Sequence, residues 1–279
     1  MSNPYLPIPA RIDKIVVENE ARDIKTFYLS FTNNRNKESF SFLPGQFAEL
    51  SLLGVGECPI GIASSPTEKG CLLFTVKRAG FVTTQLHRAE VGDTIGIRGP
   101  FGNTYPLGLM EGKNVLIVGG GFAFTTLRAT AKYILEGSNR GRFKNLTIVY
   151  GARSPGELIY KQELWQWEKA KDLDICITVD KGDKDWKRRE GFVPTVLKEM
   201  APGSNSTVAL VCGPPVMIKF TLPVLLELGF SPDDIFLSLE MRMKCGIGKC
   251  GRCNIGHKYV CKDGPVFSYA QLNELPQEY

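Results

Sequence analysis

Eight cysteines occur in the chain, and four of them crowd toward its end in the spacing Cys245-x4-Cys250-x2-Cys253-x7-Cys261. Thiolates are soft ligands for iron and zinc. The first three members reproduce the spacing of plant-type [2Fe-2S] sites, where a tight loop presents three sulfurs and a fourth arrives from farther on. Gly246, Gly248 and Gly251 stand between these ligands, where a backbone without Cβ can turn sharply and aim N–H groups at sulfur. Four thiolates can also close a structural zinc site. Zinc ribbons and fingers pair CxxC with CxxC or with histidines, and here only Cys250 and Cys253 form such a pair, so the spacing favours iron–sulfur over zinc. The other four cysteines are scattered. Cys71 and Cys176 sit among strand formers and read as small core residues.

A second constellation is glycine-rich. Gly119-Gly120-Gly121 follows an apolar strand and opens a helix, so N–H groups there can meet a pyrophosphate at the positive helix end. Phe124 stands where the fingerprint has its third glycine, and no acidic residue ends the next strand, so this signal is weak alone. Cys212-Gly213-Pro214-Pro215 adds a second glycine turn at a strand's carboxyl end, where open parallel sheets gather ligands. His87 and His257 are the only histidines, and no Ser-His-Asp or paired-carboxylate arrangement is apparent. No catalytic acid or base is assigned.

These groups must be positioned by two kinds of element. Up to residue 108, short alternating strands (11–17, 25–31, 46–52, 71–79 and 94–98) are broken by Pro44-Gly45, Gly54 to Gly56 and Gly99-Pro100, the pattern of an antiparallel β-barrel or sandwich. From residue 109 to 232 the rhythm is strand then helix: strands 114–118, 146–150, 175–179 and 207–211 alternate with helices 125–135, 157–170, 193–200 and 215–228. That alternation predicts a doubly wound parallel sheet covered on both faces. Residues 233–279 begin with a strand and form a small cysteine-rich tail. The 279 residues, 43% hydrophobic and 23% charged, suit a soluble two-domain protein with this appendage. No apolar run is long enough to span a membrane, and the start carries neither charged leader nor apolar stretch. The expected location is the cytoplasm, where clustered thiols point to metal more than to disulfides. The net charge of +5 is mild and reads as spread along the chain, which excludes a nucleic-acid stripe.

Taken in order, these features resemble the ferredoxin-NADP reductase superfamily. The likeness is strongest to the branch of cytoplasmic sulfhydrogenase gamma subunits and the B subunit of anaerobic sulfite reductase. It is carried by residues 240–253 (EMRMKCGIGKCGRC) and 261–267 (CKDGPVF), with Pro44-Gly45-Gln46-Phe47, Arg98-Gly99-Pro100-Phe101-Gly102 and Cys212-Gly213-Pro214-Pro215 matching the wider superfamily. The resemblance implies an FAD-binding barrel whose flavin loop is Pro59, Ile60, Gly61, Ile62, Ala63, Ser64 and Ser65. Gly80, Val82, Thr83 and Thr84 would hold the diphosphate at a short helix, 82–89. Two positions depart from the family: Gly61 replaces a serine near flavin N5, and Cys58 replaces an arginine on the phosphate. The nicotinamide loop Gly119 to Thr125 lacks the family's final proline and carries Phe122 and Phe124. Cys212, Gly213 and Pro214 would lie by the nicotinamide ring and Arg153 by the adenosine. Arg188 and Arg189 are candidates for a 2′-phosphate.

The implied activity is electron transfer. A nicotinamide gives or takes two electrons as a hydride, an iron–sulfur cluster handles one, and a flavin does both. Hydride exchange with NAD(P)H at the flavin, followed by single-electron steps through the cluster, is therefore expected. The chain shows no second substrate site, so its partner is expected to be another redox subunit of a hetero-oligomer: a nickel–iron hydrogenase, a heterodisulfide-reductase-like complex or a sulfite reductase. Ser64-Ser65-Pro66-Thr67 and Val76-Lys77-Arg78-Ala79-Gly80 look most like the hydrogenase branch. A free-standing oxygenase reductase and a redox-sensing or interaction subunit without catalysis are the competing readings.

Overall fold

A computed structural model describes residues 3–33, 39–240 and 242–276; Met241 of the tail motif lies outside them. The first half is a six-stranded antiparallel sheet of β1 (Ile8–Val17), β2 (Ile24–Phe31), β3 (Phe47–Leu52), β4 (Gly56–Gly61), β5 (Leu72–Lys77) and β6 (Thr94–Phe101), in the order β4-β3-β6-β1-β2-β5. An antiparallel bridge from Ile62 to Phe74 and the Ala63 N–H on Leu73 O (2.9 Å) join the two outer strands. The sheet is thus drawn round into the expected barrel at this corner. Its interior is filled by Ile12, Phe27, Leu29, Leu50, Phe74 and Ile97, all essentially inaccessible. The strand β4 falls where sequence reading placed a turn and the start of the flavin loop. Its pairing with β3, Leu52 to Gly56 through Phe47 to Gly61, makes Pro59, Ile60 and Gly61 part of the barrel wall.

The second half is a seven-stranded sheet. The strands β7 (Asn114–Gly120), β8 (Leu146–Ala152), β9 (Asp174–Val179), β10 (Arg189–Glu190), β11 (Thr207–Cys212), β12 (Ile235–Ser238) and β15 (Val266–Ser268) run in the order β10-β9-β8-β7-β11-β12-β15. All pairs are parallel except β12 with β15. Six consecutive buried residues in β11, Thr-Val-Ala-Leu-Val-Cys, are what a central strand covered on both faces requires. Helices α2 (Phe124–Leu135), α3 (Lys161–Trp167), α4 (Val193–Met200) and α5 (Pro215–Glu227) cover the sheet, while α1 (Phe81–Leu86) belongs to the barrel half. In α2, Phe124, Leu127, Arg128, Ala131 and Ile134 are buried at helical spacing. The helix expected from residue 157 begins only at Lys161. Tyr160 ahead of it is left-handed (φ 55°), held by its N–H on Glu18 Oε2 (2.9 Å) and its hydroxyl on Thr75 (2.5 Å).

The tail is woven into both halves. The strand β15 completes the nucleotide sheet, and a hairpin of β13 (Asn254–Ile255) and β14 (Lys258–Tyr259) follows the cysteine loop. Asn103, just past β6, donates to Val266 O (2.7 Å) and Asp263 O (3.0 Å) and accepts the Val266 N–H (2.9 Å). The two halves are clamped by Arg128, which is only 2% exposed. It donates to both oxygens of Glu68 (2.9 and 3.0 Å), both of Glu163 (2.5 and 2.7 Å) and Ala63 O (2.7 Å).

Candidate functional site

The carboxyl ends of β7 and β11 lie side by side, Gly119 opposite Cys212, at the point where strand order reverses. Ligands of open parallel sheets gather at this switch point, and here the N-termini of α2 and α5 both face it. Each glycine of the first loop has its own reason. A Cβ on Gly119 would sit 2.4 Å from Phe124, and one on Gly120 2.4 Å from Met217 Sδ. Gly121 is left-handed (φ 53°) and opens onto free space. Gly213 is packed by Met217 as well, so the two turns lie against each other. Phe124 is fully buried and stacks on Tyr150 with centroids 4.2 Å apart. It supports the loop from below, whereas Phe122 faces the cavity.

That cavity, about 280 Å³, is lined from every part of the chain. The barrel supplies Phe47, Pro59, Ile60, Gly61, Thr75, Lys77 and Thr83; the nucleotide half supplies Phe122, Thr125, Thr126 and Cys212; the tail region supplies Glu240, Met243 and Pro265. Of the expected flavin loop, Pro59, Ile60 and Gly61 reach it. Ile62, Ala63, Ser64 and Ser65 turn away: all four are buried, the Ser64 hydroxyl accepts the Leu73 N–H (3.1 Å) and the Ser65 hydroxyl meets Thr67 (2.8 Å). Thr83 lines the cavity with its hydroxyl tied into the cap of α1, accepting the Gly80 N–H at 2.9 Å, and the Thr84 N–H is spent on Gly80 O.

The departures at Gly61 and Cys58 have local causes. A Cβ at Gly61 would stand 2.5 Å from the Thr126 methyl, so the glycine is required by the close approach of α2 to the barrel. The Thr126 hydroxyl points instead to Cys212 Sγ (3.9 Å), and that thiol donates to Ser238 O (3.6 Å). Burial pushes the Cys212 thiol up to about 12, which keeps it neutral. Cys58 packs beside the barrel core, its thiol likewise pushed up to about 12 by burial. Lys77, one strand away and lining the same cavity, is a cation that sequence reading missed. Glu240 and Thr126 were missed too. Lys77 and Glu240 lie in stretches that carry the resemblance without being assigned to the site, and only the meeting of barrel, helix and tail gathers them with Thr126.

The cysteine loop sits against the outer end of the barrel. Gly246 is left-handed (φ 73°) with Phe101 and Glu49 against it. Arg98, buried and bidentate to Glu57 (2.6 and 2.7 Å), reaches Cys245 O at 3.4 Å. The Lys249 and Cys250 N–H groups donate to Cys245 Sγ (3.3 and 3.4 Å), the Gly248 N–H to Cys261 Sγ (3.2 Å) and the Cys261 N–H to Cys253 Sγ (3.4 Å). Desolvation raises the Cys245 thiol, but the N–H groups of Ile247, Cys250 and Lys249 outweigh it and bring it down to about 6. The thiols lie as two pairs, Cys250 beside Cys245 and Cys253 beside Cys261. No group of three or more His, Cys, Asp or Glu side chains among the described residues has the geometry for one metal ion. Glu49 is fully buried with neither oxygen hydrogen-bonded, and desolvation raises its carboxyl to about 7.

The candidate arginines are differently placed. Arg153 is exposed beyond β8 and pairs with Glu157 (2.7 Å). Arg188 stacks on Trp165, 3.7 Å from the ring centre, and is bidentate to Glu168; Arg189 pairs with Glu199.

Residues 14–105 match the family described as the oxidoreductase FAD-binding domain, residues 117–222 the oxidoreductase NAD-binding domain, and residues 240–273 the iron–sulfur cluster binding domain of dihydroorotate dehydrogenase B. Barrel, switch point and cysteine loop together thus define an NAD(P)H-dependent flavin and iron–sulfur oxidoreductase. The chain is 37% identical to sulfhydrogenase 1 subunit gamma of Pyrococcus furiosus, over 98% of its own length and 94% of the relative's. It is 38% identical to a probable dihydroorotate dehydrogenase B (NAD(+)) electron transfer subunit of Thermococcus kodakarensis, over 90% and 93%. It belongs to this family of sulfhydrogenase gamma and related electron-transfer subunits. Among solved structures, that of an NADH-dependent reduced ferredoxin-NADP oxidoreductase superposes with a TM-score of 0.75 at 27% identity, over 99% of this chain and 91% of the other. The cytochrome b5 reductase domain of Ulva prolifera nitrate reductase, 23% identical over 82% of this chain and 95% of its own, shares the fold with a TM-score of 0.66. No helix among the described residues is long and apolar enough to cross a membrane.

Proposed function

We propose that this chain passes electrons between NAD(P)H and a partner redox subunit through FAD and a [2Fe-2S] cluster held by Cys245, Cys250, Cys253 and Cys261. One observation carries the reading: a single cavity is walled by the flavin strand, the nucleotide switch point and the segments flanking the cysteine loop. Three working units, 1–108, 109–232 and 233–279, contain the three family matches. FAD, when bound, supplies the chemistry of taking two electrons as a hydride and releasing them singly.

The chain's own residues bind and orient. Pro59, Ile60 and Gly61 line the isoalloxazine face, backed by the buried Ile62 to Ser65. Lys77 with Gly80, Val82, Thr83 and Thr84 neutralises and orders the diphosphate. Gly119, Gly120 and Gly121 admit the nucleotide pyrophosphate to the α2 terminus, Cys212, Gly213 and Pro214 flank the nicotinamide, and Arg153 stands beyond β8 toward the adenosine. Arg188 and Arg189 pair with Glu168 and Glu199, so a 2′-phosphate would compete with those carboxylates for them.

Two points support [2Fe-2S]. The thiols fall into two pairs, one for each iron of a binuclear cluster, and backbone N–H groups converge on three of the four sulfurs. The likeness to sulfhydrogenase gamma subunits supports a hydrogenase or heterodisulfide-reductase-like partner. The clustering of Cys245, Cys250, Cys253 and Cys261 as thiols agrees with a reducing cytoplasm.

Anaerobically purified protein is expected to carry one FAD and about two irons with matching labile sulfide per chain, and to reduce viologen dyes with NADH or NADPH. Four-thiolate zinc without flavin would refute the reading. Cys250→Ala should abolish electron delivery to the partner while sparing flavin reduction by nucleotide in stopped flow. Equal loss of both would overturn the proposed order.

A further inference from the structure

The net charge of +5 is not spread along the chain as its composition suggests. Residues 242–263 hold six of the 34 Lys and Arg (Arg242, Lys244, Lys249, Arg252, Lys258 and Lys262) and one of the 29 Asp and Glu, Asp263. The other 28 cations and 28 anions cancel, so the whole excess lies on the cysteine loop and its hairpin. Arg242, Lys244, Lys249, Arg252 and Lys262 are exposed, and Lys258 partly so. None of the six makes an ion pair among the described residues, although twelve such pairs are formed elsewhere. The one anion is occupied, Asp263 accepting the Tyr259 N–H at 2.7 Å. Cys250 lies exposed among these cations, whereas Cys253 and Cys261 are buried.

Charge on a cluster alone does not account for the patch. Four thiolates, two sulfides and two ferric ions sum to about −2, which leaves the surface around Cys250 positive. Six cations without an ion-pair partner among the described residues cost self-repulsion and gain when an oppositely charged surface arrives. We propose that residues 242–262 form the docking face for an acidic one-electron redox protein, which approaches the exposed Cys250 edge and exchanges single electrons there. This rests on the electron-transfer reading above and adds the chemistry of the partner's face.

The test uses holoprotein and two small redox proteins of opposite charge: a reduced acidic plant-type ferredoxin as one-electron donor and oxidised cytochrome c, a basic protein, as one-electron acceptor. Exchange with ferredoxin should slow about tenfold between low and physiological ionic strength, and reduction of cytochrome c should not slow at all. Arg242→Glu/Arg252→Glu/Lys258→Glu should lower the ferredoxin association rate at least tenfold at low salt. Lys169→Glu/Lys171→Glu/Lys184→Glu, the same change of charge in the nucleotide half, should leave it within twofold. Zero-length carbodiimide cross-links to ferredoxin carboxylates should map to Lys244, Lys249, Lys258 or Lys262. A rate indifferent to salt, equal effects of the two triple variants, or cross-links on another face would each overturn the proposal. So would a shift of cluster potential in the first variant with association unchanged, or tight binding of a DNA duplex by the patch at physiological salt. Flavin content and bleaching by NADH, measured on the same samples, test the relay itself and separate its failure from that of the docking face.

Discussion

At the scale of single residues, the meeting of Gly61 and Thr126 governs how closely the nucleotide half approaches β4 of the barrel. Gly61→Ser would drive its side chain into the Thr126 methyl, 2.5 Å from where a Cβ begins. Misplacement by about 1 Å costs on the order of a hundredfold in a positioned reaction. Stopped-flow reduction of the flavin by NADH should therefore slow ten- to a hundredfold in G61S and recover substantially in G61S/T126G. Glu49 makes a different statement. A carboxyl raised to about 7 in the fold holds its proton where the unfolded chain, near 4.5, has released it. Its ionisation thus removes stability as pH rises from about 4.5 to 7, and that loss persists above. Glu49→Gln should raise the thermal midpoint at pH 8 and change it little at pH 4.5. The gain is at most about 3 kcal/mol, read by calorimetry at both values.

Between elements, the decisive contact is α2 against the barrel. Arg128 leaves the nucleotide helix to satisfy Glu68 of the barrel side, Glu163 of α3 and the carbonyl of Ala63 just past β4. Removing one partner of a buried ionic network leaves the others unpaired, at about 3–5 kcal/mol. Arg128→Met should lower the urea midpoint accordingly and weaken FAD retention measured by ultrafiltration, while Arg128→Met/Glu163→Gln should recover part of the loss. Much at this scale was legible from the chain. The strands 114–120, 146–152, 174–179 and 207–212 and the helices between them announce themselves by continuous apolar runs alternating with amphipathic stretches. What escaped was set by partners distant in sequence. Gly56–Gly61 carries turn residues and becomes a strand only because β3 offers a ladder. The helix ahead of Trp167 starts late because Thr75 and Glu18, from the barrel, hold Tyr160 in a left-handed turn. Among residues of the candidate site, the clustered cysteines and the glycine loops carry a signal in the sequence because their spacing is local. Lys77, Thr126 and Glu240 do not, since each owes its place to a boundary between halves.

For the molecule as a whole, the joining of three regions around one cavity predicts how it fails. The tail supplies the last strand of the nucleotide sheet as well as part of the cavity wall. A chain ending after Leu239 should therefore lose more than metal. It would bare β12 as an open apolar edge, and such edges template aggregation. Size-exclusion chromatography should show association of this truncated form, whereas the full chain with Cys250→Ala should elute as wild type.

The pairing of Val266–Ser268 with Phe236–Ser238, and the grip of Asn103 on the same stretch, have a consequence for ancestry and engineering. The metal-bearing stretch is no detachable cassette. Grafting it onto another reductase would demand a vacant margin on the recipient's sheet and an amide side chain waiting at the corner of its barrel, so the three parts are expected to have been inherited together and not shuffled singly.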